Sequence, residues 1–587
     1  MLRATQRVDT HLIADIDVLA IGGGIAATMA AIQAKEDGAP RVMQVDKGMV
    51  GKTGNSCFAA GVMHVRFPED DLNDRVRRLT RSLGFLADQQ MICDHLQDSF
   101  PVLTRIRNYG TRFYLTADNT YQRMAGRGAY PVVMFYSTQL MDSLRKAALS
   151  LGVEQVHKIF ITDLLTQQGE VVGAAGFHLY TGDFYVFRAR VTVVATGGTY
   201  YKGIHPGHRD CSGDGFAMAY RAGAVLSGAE HNDSPCNFFP ARVDVGPGMN
   251  KWMGEGGIFV NANGERFMPK YFPKLGERMG HPGLLFAFCM EARQGHVPIY
   301  MDARHLGEEA MDRLFKILPL PQREFESIGV IRNGRFVERV EFCPTAPIGR
   351  PGIFVDREFA STLPRLYACG EACSPQAVVT GLAAAATSGV RAGAAAARYA
   401  REAKDVALEQ GQVADLRRQA YRFLEQPEGV ESDHILLKRQ EGITPYDVLL
   451  LREGSRMERA LRQVELLRDQ ELPLLGAYDL HYLRLAHETS NLVLVAELHL
   501  KAALQRTESR QILREDYPYA DNVNWLKWLK VRLENKKQIW WTDDIPMEQY
   551  PLQPGRKVEL AYFWQLAKDL GIVDVSSEGK IQWVFAE

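Results

Sequence analysis

Ile21-Gly22-Gly23-Gly24-Ile25-Ala26-Ala27 has the composition of a phosphate-binding turn between a strand and a helix. Residues 17–21 form an apolar run typical of a buried parallel strand, and the alanine-rich residues 28–35 favour a helix. Gly22 and Gly24 allow a tight turn and close approach of the backbone to a pyrophosphate. Asp46 ends the next apolar segment, where a carboxylate can accept hydrogen bonds from ribose hydroxyls. Glycine fingerprints also occur in ordinary tight turns, but this combination predicts a dinucleotide-binding unit.

The composition is that of a large globular protein. The chain has 587 residues, of which 46% are hydrophobic and 24% are charged, which is enough for several domains. A net charge of −1 gives no overall basic field, so we expect no nucleic-acid partner. No apolar run approaches the roughly 18–20 residues that span a bilayer, and the start lacks a secretory signal pattern. We therefore expect no direct membrane span and a cytoplasmic location.

The eight cysteines are scattered along the chain. Only Cys369 and Cys373 are close together, so the ligand spacing of an iron–sulfur cluster or a zinc site is not found. The sequence therefore predicts no metal site, and the cysteines are interpreted as reduced thiols in the core.

Two later segments also have the pattern of a strand followed by a glycine-containing turn, as expected for further parts of the dinucleotide-binding unit. Residues 184–194 have a strand composition and run into Ala195-Thr196-Gly197-Gly198, a second turn of small residues. Residues 366–372 form a short strand pattern ending in Gly370 and Glu371, followed by Gly381 and an alanine-rich helix to about Arg398. With the first turn at 21–27 they make three such segments, which is unlike a simple nicotinamide dehydrogenase and favours FAD as the dinucleotide.

These motifs allow a family resemblance to be stated. In order and in approximate spacing they resemble the flavoprotein subunits of the fumarate reductase, succinate dehydrogenase and adenylylsulfate reductase superfamily. Near the end, 508–510 and 514–518 resemble the close of that family's helical domain, with Leu513 where the family has a histidine. The resemblance extends from about residue 15 to 530. It is carried by residues 22–27, 212–219, 254–261 with 264–267, and 367–372.

The resemblance implies an α/β architecture of three parts. A discontinuous, Rossmann-like FAD-binding domain is expected at 1–231 and 344–408, with an inserted α+β capping domain at 232–343. A C-terminal helical domain and tail is expected at 409–587, where leucines recur at helical spacing within 446–452 and 492–504. Trp540, Trp541 and Trp583 in the tail are interpreted as core residues, with docking on a partner as the alternative.

The resemblance also implies how FAD is bound. Members with covalent flavin use a histidine in the loop after the second strand, whereas here Asn55 or Ser56 takes that place, so we expect non-covalent FAD. The helix that opens at Gly381 is expected to direct its amides at the flavin's pyrimidine edge. The cofactor-binding residues implied are Gly22, Gly24, Ile25, Ala26, Asp46, Lys47, Gly54, Asn55, Ser56, Gly61, Ala195, Thr196, Gly197, Asp214, Gly370, Glu371, Gly381 and Leu382.

The substrate residues of fumarate and succinate enzymes are not reproduced. Residues 239–242 read Phe-Pro-Ala-Arg where those enzymes have His-Pro-Thr, residues 376–380 lack their carboxylate-binding arginine, and 344–349 lack a further histidine. These departures argue against simple fumarate chemistry. Arg242 after Pro-Ala is more similar to the adenylylsulfate reductase branch, in which such an arginine faces the flavin. There Arg242 would pair with an anionic group; the alternative is a structural arginine at the domain boundary.

Arg278 and His281 are the other catalytic candidates. They lie in a glycine- and proline-containing loop before an apolar helix, near the position of the proton-donating arginine of fumarate enzymes. A histidine there could transfer a proton near neutral pH, whereas an exposed loop histidine without a role is the alternative.

The expected activity is two-electron oxidation or reduction of a small anionic substrate at FAD, with electrons exchanged with an iron–sulfur (ferredoxin-like) subunit. Three alternatives stay open. One is a flavin oxidase or dehydrogenase linked to oxygen or a soluble carrier, one is an electron-transfer flavoprotein module without its own substrate, and one is a nucleic-acid-modifying flavoprotein.

Overall fold

The computed structural model describes residues 8–124, 130–200, 202, 206–233, 238–240, 251–344, 348–349, 351–377, 381–510 and 512–584. The described residues up to 233 form eleven strands and six α-helices, besides the 3-10 turn Asn55–Cys57. They are β1 (Thr10–Ile21), α1 (Ile25–Glu36), β2 (Val42–Asp46), β3 (Val62–Met63), α2 (Leu72–Ser82), α3 (Gln89–Asn108), β4 (Arg123–Met124), β5 (Val132–Met134), α4 (Ser137–Ser150), β6 (Glu154–His157), β7 (Ile159–Gln167), β8 (Glu170–His178), β9 (Phe184–Val194), α5 (Pro206–Arg209), α6 (Asp214–Arg221), β10 (Leu226–Ser227) and β11 (Asn232–Asp233).

The middle of the chain follows. Its elements are β12 (Phe238–Pro240), α7 (Lys251–Gly254), β13 (Ile258–Val260), α8 (Met268–Tyr271), α9 (His281–Arg293), β14 (Ile299–Asp302), α10 (Glu308–Ile317), α11 (Pro319–Ser327), β15 (Ile331–Arg332), β16 (Arg335–Phe336), β17 (Val340–Pro344), β18 (Ile348–Gly349), β19 (Gly352–Ile353), β20 (Leu366–Ala368) and α12 (Leu382–Glu402).

The last part begins with helices and ends with strands. Its elements are α13 (Gln410–Tyr421), α14 (Ser432–Ile443), α15 (Tyr446–Leu449), β21 (Leu451–Arg452), α16 (Gly454–Leu466), α17 (Leu480–Gln505), β22 (Leu513–Arg514), β23 (Tyr519–Asp521), β24 (Lys527–Glu534), β25 (Lys537–Asp544), β26 (Val558–Leu560), α18 (Tyr562–Asp569), β27 (Val573–Val575) and β28 (Ile581–Trp583).

A seven-stranded sheet in the order β6-β2-β1-β9-β8-β7, with β20 also paired to β9, is the centre of the fold. Strands β6, β2, β1, β9 and β20 are parallel, and β8 and β7 continue the sheet in antiparallel fashion. The run Val18-Leu19-Ala20-Ile21 is buried, as expected for a strand with both faces covered. β1 begins at Thr10 rather than at residue 17, because Thr10 to Ile13 also pair with β9.

The middle of the chain has its own sheet and core. Strands β12, β17, β14 and β13 form an antiparallel sheet, and Phe259 packs edge-on against Phe288, with ring centroids 4.9 Å apart. The chain enters this region through β11 and leaves it through β18, and these two short strands pair with each other. The two crossings therefore lie side by side, in agreement with an inserted unit; the exact boundaries at 232 and 343 stay a prediction.

The helices after residue 409 follow the leucine pattern in part. Leu492 and Leu504 both lie in α17, as predicted, but the helix predicted over 446–452 ends at Leu449, because Leu451 and Arg452 pair with β22. None of the helices in the described segments is long and apolar enough to cross a bilayer.

The tail consists mainly of strands. β24 and β25 form a hairpin whose turn residues Asn535 and Lys536 have φ of 49° and 62°, the left-handed values of a tight hairpin turn. This hairpin joins β10 and β19 in a four-stranded sheet. The tryptophans fix the tail to the body, since Trp540 packs on the main core and the Trp583 indole donates to Glu515.

Candidate active site

The carboxyl ends of four parallel strands meet at one edge of the central sheet. The Gly22 amide donates to the Val45 carbonyl at 2.8 Å, and the Ala195 amide donates to the Ile21 carbonyl at 2.9 Å. The Cys369 amide continues the row by donating to the Val194 carbonyl at 3.0 Å. The structure therefore brings together the ends of β1, β2, β9 and β20, where Gly22–Gly24, Asp46, Ala195–Gly197 and Gly370–Glu371 lie. Ligands of open α/β sheets bind at such an edge.

The glycines at this edge have two different roles. Gly22 has φ of +133°, and a Cβ there would lie 2.3 Å from the Ala195 carbonyl oxygen, so the fold itself requires glycine. Gly24 has φ of −82°, and the nearest atom to a Cβ would be the Ser56 hydroxyl at 3.1 Å. At Gly54 and Gly381 a Cβ would meet nothing within 4 Å. Open space therefore lies in front of Gly54 and Gly381, whereas Gly24 faces the Ser56 side chain.

The loop after β2 holds the start of α1. The Ile25 amide donates to the Ser56 hydroxyl at 3.1 Å, which supplies a cap that the N-cap residue Gly24 cannot give. The Asn55 Oδ1 atom is buried without a hydrogen-bond partner, and so is the hydroxyl of Thr196 across the site. Buried polar atoms of this kind are rare in folded proteins, and these two fit a ligand with polar groups at the sheet edge.

Asp46 keeps one carboxylate oxygen available. Its Oδ1 accepts from the Gly48 amide at 2.8 Å and from the Thr53 hydroxyl at 3.1 Å, and burial raises the pKa of the carboxyl. Its Oδ2 lies where a side chain on Gly23 would be, and it accepts no hydrogen bond from any described residue. This arrangement agrees with the predicted role of accepting from a ribose hydroxyl.

Helices α1 and α12 run in the same direction and touch through their backbones. A Cβ at Gly389 would lie 2.4 Å from the Ala26 carbonyl oxygen, and one at Gly393 would lie 2.3 Å from that of Ala30. Ala26 lies two residues after the N-cap of α1, Gly24, whereas its contact Gly389 lies eight residues after the N-cap of α12, Gly381. Helix α12 therefore extends about six residues, or about 9 Å, beyond the start of α1. The positive N-terminal ends of both helices therefore face the same side of the sheet edge, with that of α12 about 9 Å further out.

Lys47 and Asp214 bind each other. The Lys47 ammonium donates to Ser212, Asp214 and Glu488, each at 2.7 Å, and Asn491 donates to Asp214 at 2.9 Å. Burial alone would lower the pKa of Lys47, but Asp214 and Glu488 raise it above its usual range. Burial would likewise raise the pKa of Glu488, yet the lysines hold it well below its usual range.

Glu488 was not predicted from the sequence. It lies on α17 and is 441 residues from Lys47 along the chain, and no local pattern marks it. Lys202 donates to its second oxygen. This network of ion pairs connects the end of β2 to the C-terminal helices. Direct contact of Lys47 or Asp214 with the cofactor stays a prediction.

The other predicted cofactor residues lie around the same edge. Gly370 packs on the first turn of α1, its amide donates to the Ser388 hydroxyl at 3.0 Å, and the Tyr200 hydroxyl donates to Glu371 at 3.0 Å. Leu382 is the first residue of α12. The Gly61 amide donates to the Ile317 carbonyl at 2.9 Å, so this glycine joins the loop region to the end of α10.

The catalytic candidates are described only in part. Arg242 lies outside the described residues, and His281 is the first residue of α9, with its side chain outside the described set. Arg278 is exposed and ends the short 3-10 turn Gly276–Arg278. Its neighbour Glu277 is buried and accepts two hydrogen bonds from the Arg266 guanidinium, at 2.7 and 3.0 Å. The turn is thus fixed, but no described contact joins Arg278 to the sheet edge.

The geometry fits an elongated, polar ligand with a pyrophosphate. Open space lies before two glycines, two buried polar atoms lack partners, one carboxylate oxygen is available, and two helix N-termini face the same side. A pyrophosphate would lie against Gly24 and the amides of α1, and the amides of α12 would face the next part of the molecule. These are the features expected for a bound FAD.

Comparisons with known proteins agree with this geometry. Residues 17–390 match the FAD binding domain family, and residues 443–559 match the fumarate reductase flavoprotein C-terminal family. Over 550 residues the chain is 28% identical to a subunit of the fumarate reductase (CoM/CoB) of Methanothermobacter marburgensis, covering 86% of this chain and 95% of that protein.

Solved structures show the same fold. A quinol fumarate reductase of E. coli superposes with a TM-score of 0.82 at 20% identity, covering 93% of this chain and 99% of that one. Adenylylsulfate reductase of Archaeoglobus fulgidus superposes with a TM-score of 0.79 at 22% identity, covering 92% and 96%. The protein therefore belongs to the FAD-binding flavoproteins of the fumarate reductase and succinate dehydrogenase family, and it is an FAD-dependent oxidoreductase.

Proposed function

We propose that this flavoprotein oxidises or reduces a small anionic substrate by two electrons, between the flavin-binding domain and the cap at about residues 232–343. The relative in M. marburgensis is named as part of a fumarate reductase, which supports a small anion as substrate. The departures at 239–242 and 376–380 argue that the anion is not bound as in simple fumarate enzymes.

The Arg278 turn is the observation that carries the proposal. The buried Glu277 and the Arg266 guanidinium hold the backbone of this turn, while the Arg278 side chain stays exposed to solvent. Two residues later α9 begins at an N-cap, Gly280, that offers no side-chain hydrogen bond. An arginine beside an uncapped helix N-terminus is a combination that attracts anions.

The residues have distinct proposed roles. FAD, when bound, supplies the two-electron chemistry. Arg278, with Arg242 from the segment before α7, pairs with the anionic group of the substrate and holds it, since a guanidinium offers a planar, two-point contact. His281 holds or moves a proton, because an imidazole changes its charge near neutral pH.

We also propose that the electrons are exchanged with an iron–sulfur partner. The related protein from M. marburgensis is described as one subunit of its enzyme, so that protein works in an assembly. Within this chain, the described segments contain no group of three or more cysteine, histidine, aspartate or glutamate side chains placed to hold a metal ion. Both observations support a one-electron carrier on a separate chain.

Reoxidation of the reduced flavin tests the substrate proposal. The FAD-loaded protein is reduced anaerobically with dithionite and mixed with fumarate, adenylylsulfate or other small anions while flavin absorbance is followed. We expect one class of anion to reoxidise the flavin, and Arg278→Gln to slow that reaction at least about tenfold. Arg323→Gln, an exposed arginine of α11 in the same region, is the matched control and should change nothing.

The alternatives give different results in the same experiment. Fast reoxidation by oxygen or a soluble electron carrier, with no response to any anion, would favour an oxidase or dehydrogenase of that kind. Reoxidation only by an added iron–sulfur protein would favour an electron-transfer module without its own substrate. Equal rates for the Arg278→Gln and Arg323→Gln proteins would remove Arg278 from the site.

A further inference from the structure

Helix α9 is held on one face by the last segment of the chain, residues 561–583, which we call the end segment. The Phe563 ring of α18 stacks on the Phe286 ring of α9, with ring centroids 5.2 Å apart and planes inclined by 20°. The Arg293 guanidinium lies 5.3 Å from the ring centroid of Trp583. Phe286 and Arg293 are about two turns apart in α9, so both belong to the same face of the helix.

The opposite face of α9 packs on the middle region of the chain, residues 251–344. The Phe288 ring meets the Phe259 ring of β13 edge-on, with centroids 4.9 Å apart, and the Phe267 ring at 5.6 Å. Two residues correspond to about 200° around an α-helix, so the rings of Phe286 and Phe288 leave α9 in nearly opposite directions. Helix α9 therefore lies between the core of the middle region and the end segment.

Apolar side chains extend this contact into one shared core. Trp564, Ile572 and Val573 of the end segment belong to the same buried cluster as Phe286 and Met290 of α9. None of the five is more than 5% exposed. Side chains packed at the density of a protein interior restrict each other's movement. The end segment therefore helps to set the position of α9.

The end segment is fixed on its other side to the anchoring segment, residues 506–518, which follows α17. The Trp564 indole donates to the Ser509 hydroxyl at 3.1 Å. The Trp583 indole donates to the Glu515 carboxylate, so the same tryptophan contacts both α9 and the anchoring segment. The end segment thus spans the space between α9 and the close of the C-terminal helices.

Buried charged side chains join the anchoring segment to the FAD-binding part of the chain. The Arg506 guanidinium lies 2.8 Å from the Glu230 carboxylate, close to β11, and the Arg510 guanidinium donates to the Gly84 carbonyl at 3.0 Å. Glu508 accepts from both arginines and is 0% exposed. Separating these groups would leave charges buried without partners, which is strongly destabilising. The anchor of the end segment is therefore rigid.

The covalent connection of the middle region is narrow. The chain enters this region through β11 and leaves it through β18, and these two strands pair with each other. A unit joined at one place can turn about that place unless further contacts hold it. At α10 the Gly61 amide donates to the Ile317 carbonyl at 2.9 Å, and at α9 the end segment supplies a second contact. The end segment thus limits how far α9 can move.

The start of α9 carries residues that are proposed to act on the substrate. His281 is its first residue, and Arg278 ends the turn just before it. Phe286 follows His281 by about 7.5 Å along the helix axis. A hydrogen-bonded helix moves as a rod, so a shift of Phe286 is passed on to the first turn. A misplacement of about 1 Å is enough to slow a reaction strongly.

We propose that the end segment is a brace for α9, in which Phe563 and Trp583 are positioning residues that fix the helix and so set the place of Arg278 and His281. The link to Arg278 and His281 rests on the proposed function. The mechanical part rests only on the contacts of the end segment, and it can be tested without a substrate.

Hydrogen–deuterium exchange of the full, FAD-loaded chain tests the brace. Phe563→Leu keeps an apolar side chain but loses the ring stack, and we expect amide exchange in α9 to become at least about tenfold faster while β1 and β9 exchange as before. Gln565→Ala, which shortens an exposed side chain of the same helix, is the matched control and should change nothing. Unchanged exchange in α9, or an equal increase in β1 and β9, would overturn the proposal.

The partner ring on α9 supplies further variants. Phe286→Leu should give the same increase, and the combined variant no more than either change alone, because both remove one contact. Multiplied effects in the combined variant would refute the brace, since the two rings would then act separately. Arg293→Gln, which removes the contact with Trp583, keeps the test decisive if the variants at the ring stack do not fold, and it too should speed exchange in α9.

Flavin reoxidation separates the brace from the substrate proposal. With reduced protein and fumarate or adenylylsulfate, Phe563→Leu should slow reoxidation at least about tenfold at unchanged FAD content, and Phe563→Tyr, which keeps the ring, should not. Faster exchange in α9 with an unchanged rate would refute the positioning of Arg278 and His281. If neither anion reoxidises the unaltered protein, the substrate proposal fails, while the exchange result still decides the brace.

Discussion

Adding one methyl group at Gly24 should abolish tight FAD binding while the apoprotein stays folded. The Gly24 backbone has φ of −82°, which any residue adopts, and the only nearby atoms belong to Ser56, with its hydroxyl at 3.1 Å from the added Cβ. The cost to the apoprotein is therefore a small shift of the Ser56 side chain, which weakens its hydrogen bond from the Ile25 amide. The cofactor pyrophosphate, in contrast, must approach this backbone closely, and the methyl group occupies that space.

The size of the effect can be stated as the free energy by which bound FAD stabilises the native state against unfolding. At a free FAD concentration of 100 times Kd, binding stabilises the native state by about 2.7 kcal/mol. If Gly24→Ala weakens binding about a hundredfold, the same FAD concentration gives only about 0.4 kcal/mol. The variant should therefore lose about 2.3 kcal/mol of FAD-dependent stabilisation, and without FAD it should lose no more than about 1 kcal/mol, from the weakened Ser56 cap of α1.

Gly22→Ala is the matched control, because the same methyl group there meets the fold instead of the ligand. Its φ of +133° and the 2.3 Å approach to the Ala195 carbonyl predict a loss of apoprotein stability of about 2–4 kcal/mol. Kd from flavin fluorescence titration and denaturant unfolding with and without FAD give both quantities for each variant. FAD affinity unchanged in Gly24→Ala, or an apoprotein of Gly22→Ala as stable as the unaltered protein, would refute the reasoning.

Three other predictions follow from the site. Acid precipitation should release the flavin into the supernatant, because Asn55 and Ser56 offer no covalent attachment; a yellow pellet would contradict this. Arg242→Lys should keep fold and FAD but lower turnover about tenfold to a thousandfold, whereas a structural Arg242 would lower the melting temperature and spare turnover. Glu488→Gln should cost about 3–5 kcal/mol in urea unfolding, against no more than about 0.5 for the exposed Glu309→Gln. Because the folded pKa of Glu488 lies below its ordinary value of 4.5, its contribution is present above about pH 4.5 and is lost as the pH falls below that value.

Local patterns predicted the elements that meet at the sheet edge where FAD is expected to bind. The turn at 22–24, the strand over 184–194 and the helix start at Gly381 lie where their residues indicate, because each depends on glycines and apolar runs within a few positions. The helix expected at 28–35 extends from Ile25 to Glu36, since the first turn is capped by Ser56 from a separate loop. The helix expected to end near Arg398 continues to Glu402.

Long-range features could not be read from the sequence. Glu488 completes the Lys47 network only after α17 packs near the end of β2, and nothing in its neighbours marks a buried carboxylate. A helical domain and tail are predicted over 409–587, but the alternating residues 527–534 form a strand because β10 offers an edge to pair with. Glycines 389 and 393 appear as ordinary members of an alanine-rich helix until Ala26 and Ala30 are placed against them.

The backbone contact between α1 and α12 has a consequence for synthesis on the ribosome. Ala30 cannot acquire its partner Gly393 until the chain has grown by more than 360 further residues. At about 5–20 residues per second this delay is roughly 20–70 s. Throughout that interval the nascent first helix has an uncovered apolar stripe, and the dinucleotide groove lacks one wall. Flavin capture is therefore a late event of biogenesis, and chains interrupted before residue 381 should be substrates for chaperones and proteases rather than partly active enzyme.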